Sequence, residues 1–164
     1  MCPARPGYGV RDPRRSRLRS RTRDDQPDTA PAPGIDQLEV LVDKLRGTGM
    51  DVRMTRAGSE RPVPPGVGVS VYRIVQESLS NAMRHAPEAA VTVALAYGDA
   101  PPQVRVRIEN GPAPAGPVPD GQAGRRHGLV GMRERAAMLR GTLTAEPTRD
   151  GGFVVEATLP LEEP

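Results

Sequence analysis

From Ile35 onward the apolar positions recur with the two periods that regular secondary structure imposes on a half-buried chain. Leu38, Leu41, Val42 and Leu45 follow the spacing of one helix face, which predicts a helix of about three turns with Asp36 as N-cap and Gly47 as the C′ residue. Met50, Val52 and Met54 alternate with polar residues and predict a strand. Pro62 to Gly66 interrupts the pattern, and a helix follows over Val71 to Pro87, VYRIVQESLSNAMRHAP. At about 100° per residue Val71, Val75, Leu79, Ala82 and Ala86 share one side of it, and Arg73, Glu77, Asn81, Arg84 and His85 the other. Val91, Val93, Leu95 and Tyr97, then Val104, Val106 and Ile108, predict two strands joined by a turn around Gly98 to Pro102.

Residues Gly111 to Arg126 hold four Pro and four Gly and almost no apolar side chain, the composition of a functional loop, here read as a lid over about residues 111–127. Leu129, Met132, Ala136 and Leu139 resume helical spacing, with Gly128 near the start and Gly141 just past the end. Leu143 to Glu146 and Phe153 to Leu159 predict a closing hairpin across Asp150-Gly151-Gly152. Helices interleaved with sequential antiparallel strand pairs predict an α+β fold: a two-layer sandwich with a mixed, mostly antiparallel sheet and helices on one face.

Charge and composition separate the N-terminal stretch from this pattern. Residues 1–35 carry eight Arg against four Asp, net +4, which leaves −1 for the rest of a chain whose net charge is +3. Arg11, Arg14, Arg15, Arg17, Arg19, Arg21 and Arg23 are followed by the Pro-rich run Gln26 to Gly34, so residues 1–34 are expected to be a disordered basic tail and residues 35–164 the folded domain. Phosphate contacts by the Arg run rank below a solvated extension, because no aromatic residue or nucleic-acid motif accompanies it. Aromatics are 2% of the chain, with Phe153 the single Phe, so the core must be built from Val, Leu, Ile, Ala and Met. Cys2 alone excludes an internal disulfide. No apolar run approaches the roughly 18 residues of a membrane span, and the default expectation is a soluble cytoplasmic protein.

Candidate chemistry concentrates in three places: the helix positions Glu77, Asn81 and His85, the strand end Ile108-Glu109-Asn110-Gly111, and the turn His127-Gly128-Leu129-Val130-Gly131-Met132. Side chains at i, i+4 and i+8 project from neighbouring turns and can converge on a hydrated cation with its phosphates, although a solvated helix face has the same pattern. A glycine-bracketed helix start exposes backbone N–H groups, which suits phosphate.

The order of these three features resembles the ATP-binding domain of sensor histidine kinases, the GHKL superfamily with its Bergerat fold. QESLSNAMRHA is similar to its N-box, and GLVGMRERAAMLRGTL to the G2 region of the nitrate/nitrite-sensor-like branch. The resemblance covers roughly residues 35–160. It implies ATP and Mg²⁺ as cofactors, Asn81 as the Mg²⁺ ligand, and Glu77 as the residue that orients a metal-bound water or acts as a base. It implies phosphate-side roles for Arg84, His85, Gly128 and Gly131. His127, Leu129 and Gly111 belong to the nucleotide-binding set by the same resemblance, and for His127 a lid-surface position is the competing reading. Its partners would be a dimerising domain that carries the phospho-acceptor histidine, and a response regulator.

Two departures qualify the resemblance. The family's Asp-x-Gly-x-Gly motif follows a strand, and continuing the alternation Val104, Val106, Ile108 places Asn110 where its aspartate stands, with Pro112 and Pro114 in place of glycines. The register that puts Glu109 there breaks strand phase. An amide oxygen can still accept from an adenine amino group, with a loss of about 1 kcal/mol relative to a charged acceptor. The second departure is the missing helical pair with an acceptor histidine: His85 and His127 are the only histidines and both fall in the nucleotide set. The expected reading is a kinase catalytic domain separated from its acceptor. The alternatives are a stand-alone ATP-binding interaction module and an anti-sigma-type serine kinase.

Overall fold

In the computed structural model of the chain, described here over residues 32–114 and 122–162, every element of that order is present. A 3₁₀ turn, Ile35–Gln37, leads into α1 (Leu38–Gly47), followed by β1 (Val52–Ala57), α2 (Pro65–His85), β2 (Val91–Asp99), β3 (Pro102–Asn110), α3 (Gln122–Met138), β4 (Thr142–Pro147) and β5 (Phe153–Pro160). The five strands form one sheet in the order β1-β2-β3-β5-β4. Only the β1–β2 pair is parallel. This is the crossover that α2 requires, since a parallel neighbour cannot be reached by a tight turn.

Alternation along the strands separates the two faces of the sheet. Val91, Val93, Leu95 and Tyr97 of β2, Val104, Val106 and Ile108 of β3, and Val155, Ala157 and Leu159 of β5 are buried under the helices. Against them pack Leu38 and Val42 of α1, Val71, Ile74, Val75 and Leu79 of α2, and Met132 and Ala136 of α3. The opposite face carries charge: Arg107 bridges Glu109 on its own strand and Glu156 on β5. Apart from Tyr97 the buried core is built from Val, Leu, Ile, Ala and Met, as a chain so poor in aromatics demands.

Helix ends differ from their sequence signals in instructive ways. Asp36 lies inside the 3₁₀ turn and caps nothing by side chain. Gly47 is the last residue of α1, and the left-handed C′ position falls to Gly49 (φ 95°), with Met50 N–H donating to the Leu45 carbonyl and Gly49 N–H to that of Arg46. Residue 50 is thereby drawn into the cap, so the strand begins at Val52. Helix α2 starts six residues before Val71, because Pro65 follows Pro64 at the first helical position, where its missing N–H costs no bond. At the end of α3 the left-handed residue is Arg140 (φ 56°), not Gly141. Gly141 is required for another reason: a Cβ there would collide with Leu159 and the Thr158 carbonyl.

Candidate functional site

Helix α2 carries the densest set of candidate residues, and the sheet beneath it determines which of them reach a cleft. Asn81 is 9% and His85 6% exposed, so both belong to the buried side of the helix rather than to a polar outer face. The buried stripe is wide because α2 lies over the sheet and is also flanked by α3. Arg84 and Arg73 are exposed, and Glu77 is half-buried.

Asn81 lines a narrow cleft together with Ser78 and Ala82 from α2, Ile108 and Asn110 from β3, and Phe153 and Val155 from β5. Asn110 pairs with Phe153 and Ile108 with Val155 across the β3–β5 ladder, which sets the floor of the cleft in register. The free space amounts to about 10 Å³, the order of one water molecule. Oδ1 of Asn81 is buried there with no hydrogen-bond partner. Such a group carries the full cost of its lost hydration, about 1–3 kcal/mol, until something supplies a donor or a cation.

Strand phase places Asn110 and Glu109 on opposite sides of β3. Glu109 turns to the outer face and pairs with Arg107 at 2.7 Å, while Asn110 turns to the cleft. Nδ2 of Asn110 donates to the Gly111 carbonyl at 2.8 Å, and Gly111 N–H donates to that of Ala90 at 3.0 Å, which ties the strand end to the start of β2.

The glycine turn takes a form that its sequence does not suggest. Helix α3 begins at Gln122, so Gly128 and Gly131 are internal helix residues and their N–H groups do not form a helix terminus. Residues Gln122 to His127, within the stretch read as a lid, are helical, and residues 115–121 of that stretch lie outside the described residues, as does the tail before residue 32. Gly128 sits against Glu77: a Cβ at 128 would collide with the Glu77 carboxylate. One turn further along, Ser78 donates its hydroxyl to Sδ of Met132 at 3.6 Å. These two contacts bring Glu77 and the glycine segment together. Leu129 packs against the core, His127 is exposed and Gly131 faces open space. The structure therefore joins Glu77 with Gly128, and Asn81 with Asn110, while Arg84 and His127 remain on the surface.

Ser78, Ala82, Phe153 and Val155 are cleft residues that sequence reasoning passed over as site residues, while Ile108 entered it as part of the strand end 108–111. Phe153, the single Phe at a strand start, is the one visible signal. A wider groove of about 440 Å³ lies elsewhere, lined by Pro64, Pro65, Val67, Met138, Leu139 and Pro160 among others, and holds none of the candidate residues.

Comparisons with known proteins bear on the fold and the family. Residues 66–163 match the family described as histidine kinase-, DNA gyrase B- and HSP90-like ATPases. The chain is 34% identical over 130 residues to the sensor histidine kinase YxjM of Bacillus subtilis, covering 78% of this chain and 30% of that protein. It is 34% identical over 101 residues to the sensor protein VraS of Staphylococcus aureus, covering 62% and 28%. The chain thus spans less than a third of the length of these relatives. Among solved structures, the catalytic domain of histidine kinase ThkA superposes with a TM-score of 0.55 at 18% identity, over 77% of this chain and 90% of that one. The histidine kinase domain of the blue-light-activated kinase of Erythrobacter litoralis gives 0.54 at 22%, over 77% and 63%. With a family match that spans α2 to the end of β5, the chain belongs to the histidine kinase-, DNA gyrase B- and HSP90-like ATPases.

Proposed function

We propose that this chain is the ATP·Mg²⁺-binding catalytic domain of a two-component sensor histidine kinase. It would supply the phosphoryl group to a histidine on a separate acceptor and dimerisation domain, for relay to a response regulator. The observation that carries the proposal is Oδ1 of Asn81, buried without a partner in a cleft whose floor holds Asn110. Family membership and the N-box-like sequence QESLSNAMRHA support it.

Asn81 fits the Mg²⁺ role on chemical grounds. Mg²⁺ takes hard oxygen ligands, keeps several waters, and is held by one or two protein oxygens plus substrate phosphates. No group of three or more His, Cys, Asp or Glu that could hold a metal occurs among the described residues. Glu77 would orient a water or take a proton near that metal. Arg84, His85, His127, Gly128, Leu129 and Gly131 would form the phosphate side, and Asn110 with Gly111 the base side. Phosphoryl transfer relies on positioning and charge stabilisation, which such a set provides. The cleft walls must part to admit a nucleotide. The segment GLVGMRERAAMLRGTL favours the nitrate/nitrite-sensor-like branch. A cytoplasmic location follows from the ATP and response-regulator roles; no described helix is long and apolar enough to cross a membrane.

A second reading, an ATP-binding interaction module without transfer, draws on Asn110 in place of a carboxylate and on the closed cleft. Incubation with γ-labelled ATP, Mg²⁺ and a separate acceptor domain decides between them. Label on the acceptor histidine is the expected result; ATP binding with no transfer would leave the interaction module.

A further inference from the structure

Most of the wall of the cleft under α2 belongs to the packed interior. Ser78, Asn81, Ala82, Ile108 and Val155 are each no more than 9% exposed, so none of them moves without opening the core. The other two described lining residues, Asn110 and Phe153, are half-buried and face each other at the last paired position of the β3–β5 ladder. Asn110 is tied down: its Nδ2 donates to the Gly111 carbonyl at 2.8 Å, and the Gly111 N–H donates to the Ala90 carbonyl at 3.0 Å. Phe153 is the first residue of β5. It shares its strand face with Val155, Ala157 and Leu159, all buried under the helices, so its ring is directed between the sheet and α2.

With the ring in that place the cleft keeps about 10 Å³ of free space, where a small-ligand site needs about 300 Å³ or more. The ring is the largest side chain among the described lining residues, and a flat apolar body of the kind a base presents. The backbone that carries it is closely seated, since a Cβ at Gly152 would collide with the Asn110 carbonyl. The side chain, by contrast, can turn about its own χ1 between the two staggered positions common in strands, leaving the ladder intact. We infer that the Phe153 ring is an internal plug at the base end of the cleft, and that a nucleotide enters only when the ring has turned out to the rim. The inference rests on the nucleotide reading of the cleft and identifies the part of the wall that moves. Returning a half-buried phenyl ring to water holds the open population to about one in five or less. Only open molecules bind, so the plug weakens apparent affinity by about fivefold or more.

Phe153 is the single Phe of the chain, so labelling with ring-¹³C phenylalanine gives one ring to follow by NMR in the full, unaltered protein. Saturating ATP with Mg²⁺ should increase the relaxation of that signal by a soluble paramagnetic chelate, as the ring moves to the rim. A ring as well protected with bound ATP as without it would overturn the inference. Titration calorimetry gives a second readout. Phe153→Ala is expected to bind ATP with Mg²⁺ about fivefold more tightly than the unaltered chain. Phe153→Val, which keeps a strand-favouring side chain without the ring, should change in the same direction. Equal or weaker binding by a folded variant would overturn the inference and leave the nucleotide site in place, with the ring as one of its fixed walls. If neither variant folds, the labelled ring decides alone. Failure of ATP to bind the unaltered chain and both variants would overturn the nucleotide reading and this inference together.

Discussion

Gly128 is the residue where stability and chemistry separate most cleanly. In a helix interior alanine is favoured over glycine by roughly 0.8–1 kcal/mol, so backbone propensity alone would have Gly128→Ala stabilise α3. The side chain it would add occupies the place of the Glu77 carboxylate, the far end of a flexible side chain that can move aside. The expected outcome is a melting temperature unchanged or slightly raised, with phosphotransfer reduced by about tenfold or more if Glu77 must sit where it does. Gly131→Ala is the matched control, since its Cβ meets nothing within 4 Å. It should gain the helix term without the loss. Equal transfer by both variants would remove Glu77's position against Gly128 from the mechanism. Tyr97 offers a residue-scale test by pH. Burial, and then the Glu60 carboxylate, hold its hydroxyl above its ordinary value, so the folded state keeps the proton more tightly than the unfolded chain. That contribution is whole below pH of about 10 and is lost as pH rises through the raised value. Tyr97→Phe should flatten the alkaline decline in stability measured by urea unfolding between about pH 9 and 11.

At the scale of elements, periodicity carried the reading and the ends did not. The alternation of Val104, Val106 and Ile108 was enough to place Asn110 toward the cleft and Glu109 away from it, because a strand has a fixed period of two. Helix ends answer to a more local competition. Gly47 and Gly141 each carry the composition of a left-handed cap, yet Gly49 and Arg140 take that conformation, since the Schellman bonds fix which residue must turn. The start of α3 was illegible for a related reason: three glycines within Gly124 to Gly131 argue against helix, and packing of Met132 and Ala136 into the core, both under 3% exposed, anchors the element nonetheless. Gly141 then marks where α3 meets the sheet. Added volume at 141 would press on the Thr158 backbone oxygen and on Leu159, neither of which can swing clear. Gly141→Ala should destabilise by about 1–3 kcal/mol in urea denaturation, in contrast with Gly128→Ala, whose neighbour is mobile.

The whole molecule shows why the cleft was half visible in advance. Asn81 and Asn110 stood out as polar residues in elements of strong period, whereas Ser78 and Val155 became cleft walls only when the β3–β5 ladder and α2 were brought together. Pairing between strands 40 and more residues apart is not encoded in any local pattern. The same assembly makes nucleotide binding a property of the folded unit, so ligand and stability are linked. A ligand that binds only the native state at about a hundredfold above its dissociation constant adds about 2.7 kcal/mol, which for a domain of this size raises the melting temperature by roughly 10 °C. ATP with Mg²⁺ should produce that shift, and ATP with a chelator a smaller one. Asn81→Ala supplies the decisive comparison. It removes a buried oxygen that lacks a partner, a gain of about 1–3 kcal/mol, and leaves lost contacts of similar size, so the unliganded melting temperature should move by only a few degrees. The Mg²⁺-dependent part of the ATP shift should vanish. A full Mg²⁺-dependent shift in Asn81→Ala would mean that the metal is held by other groups, and the unsatisfied oxygen at the centre of the cleft would then need another partner.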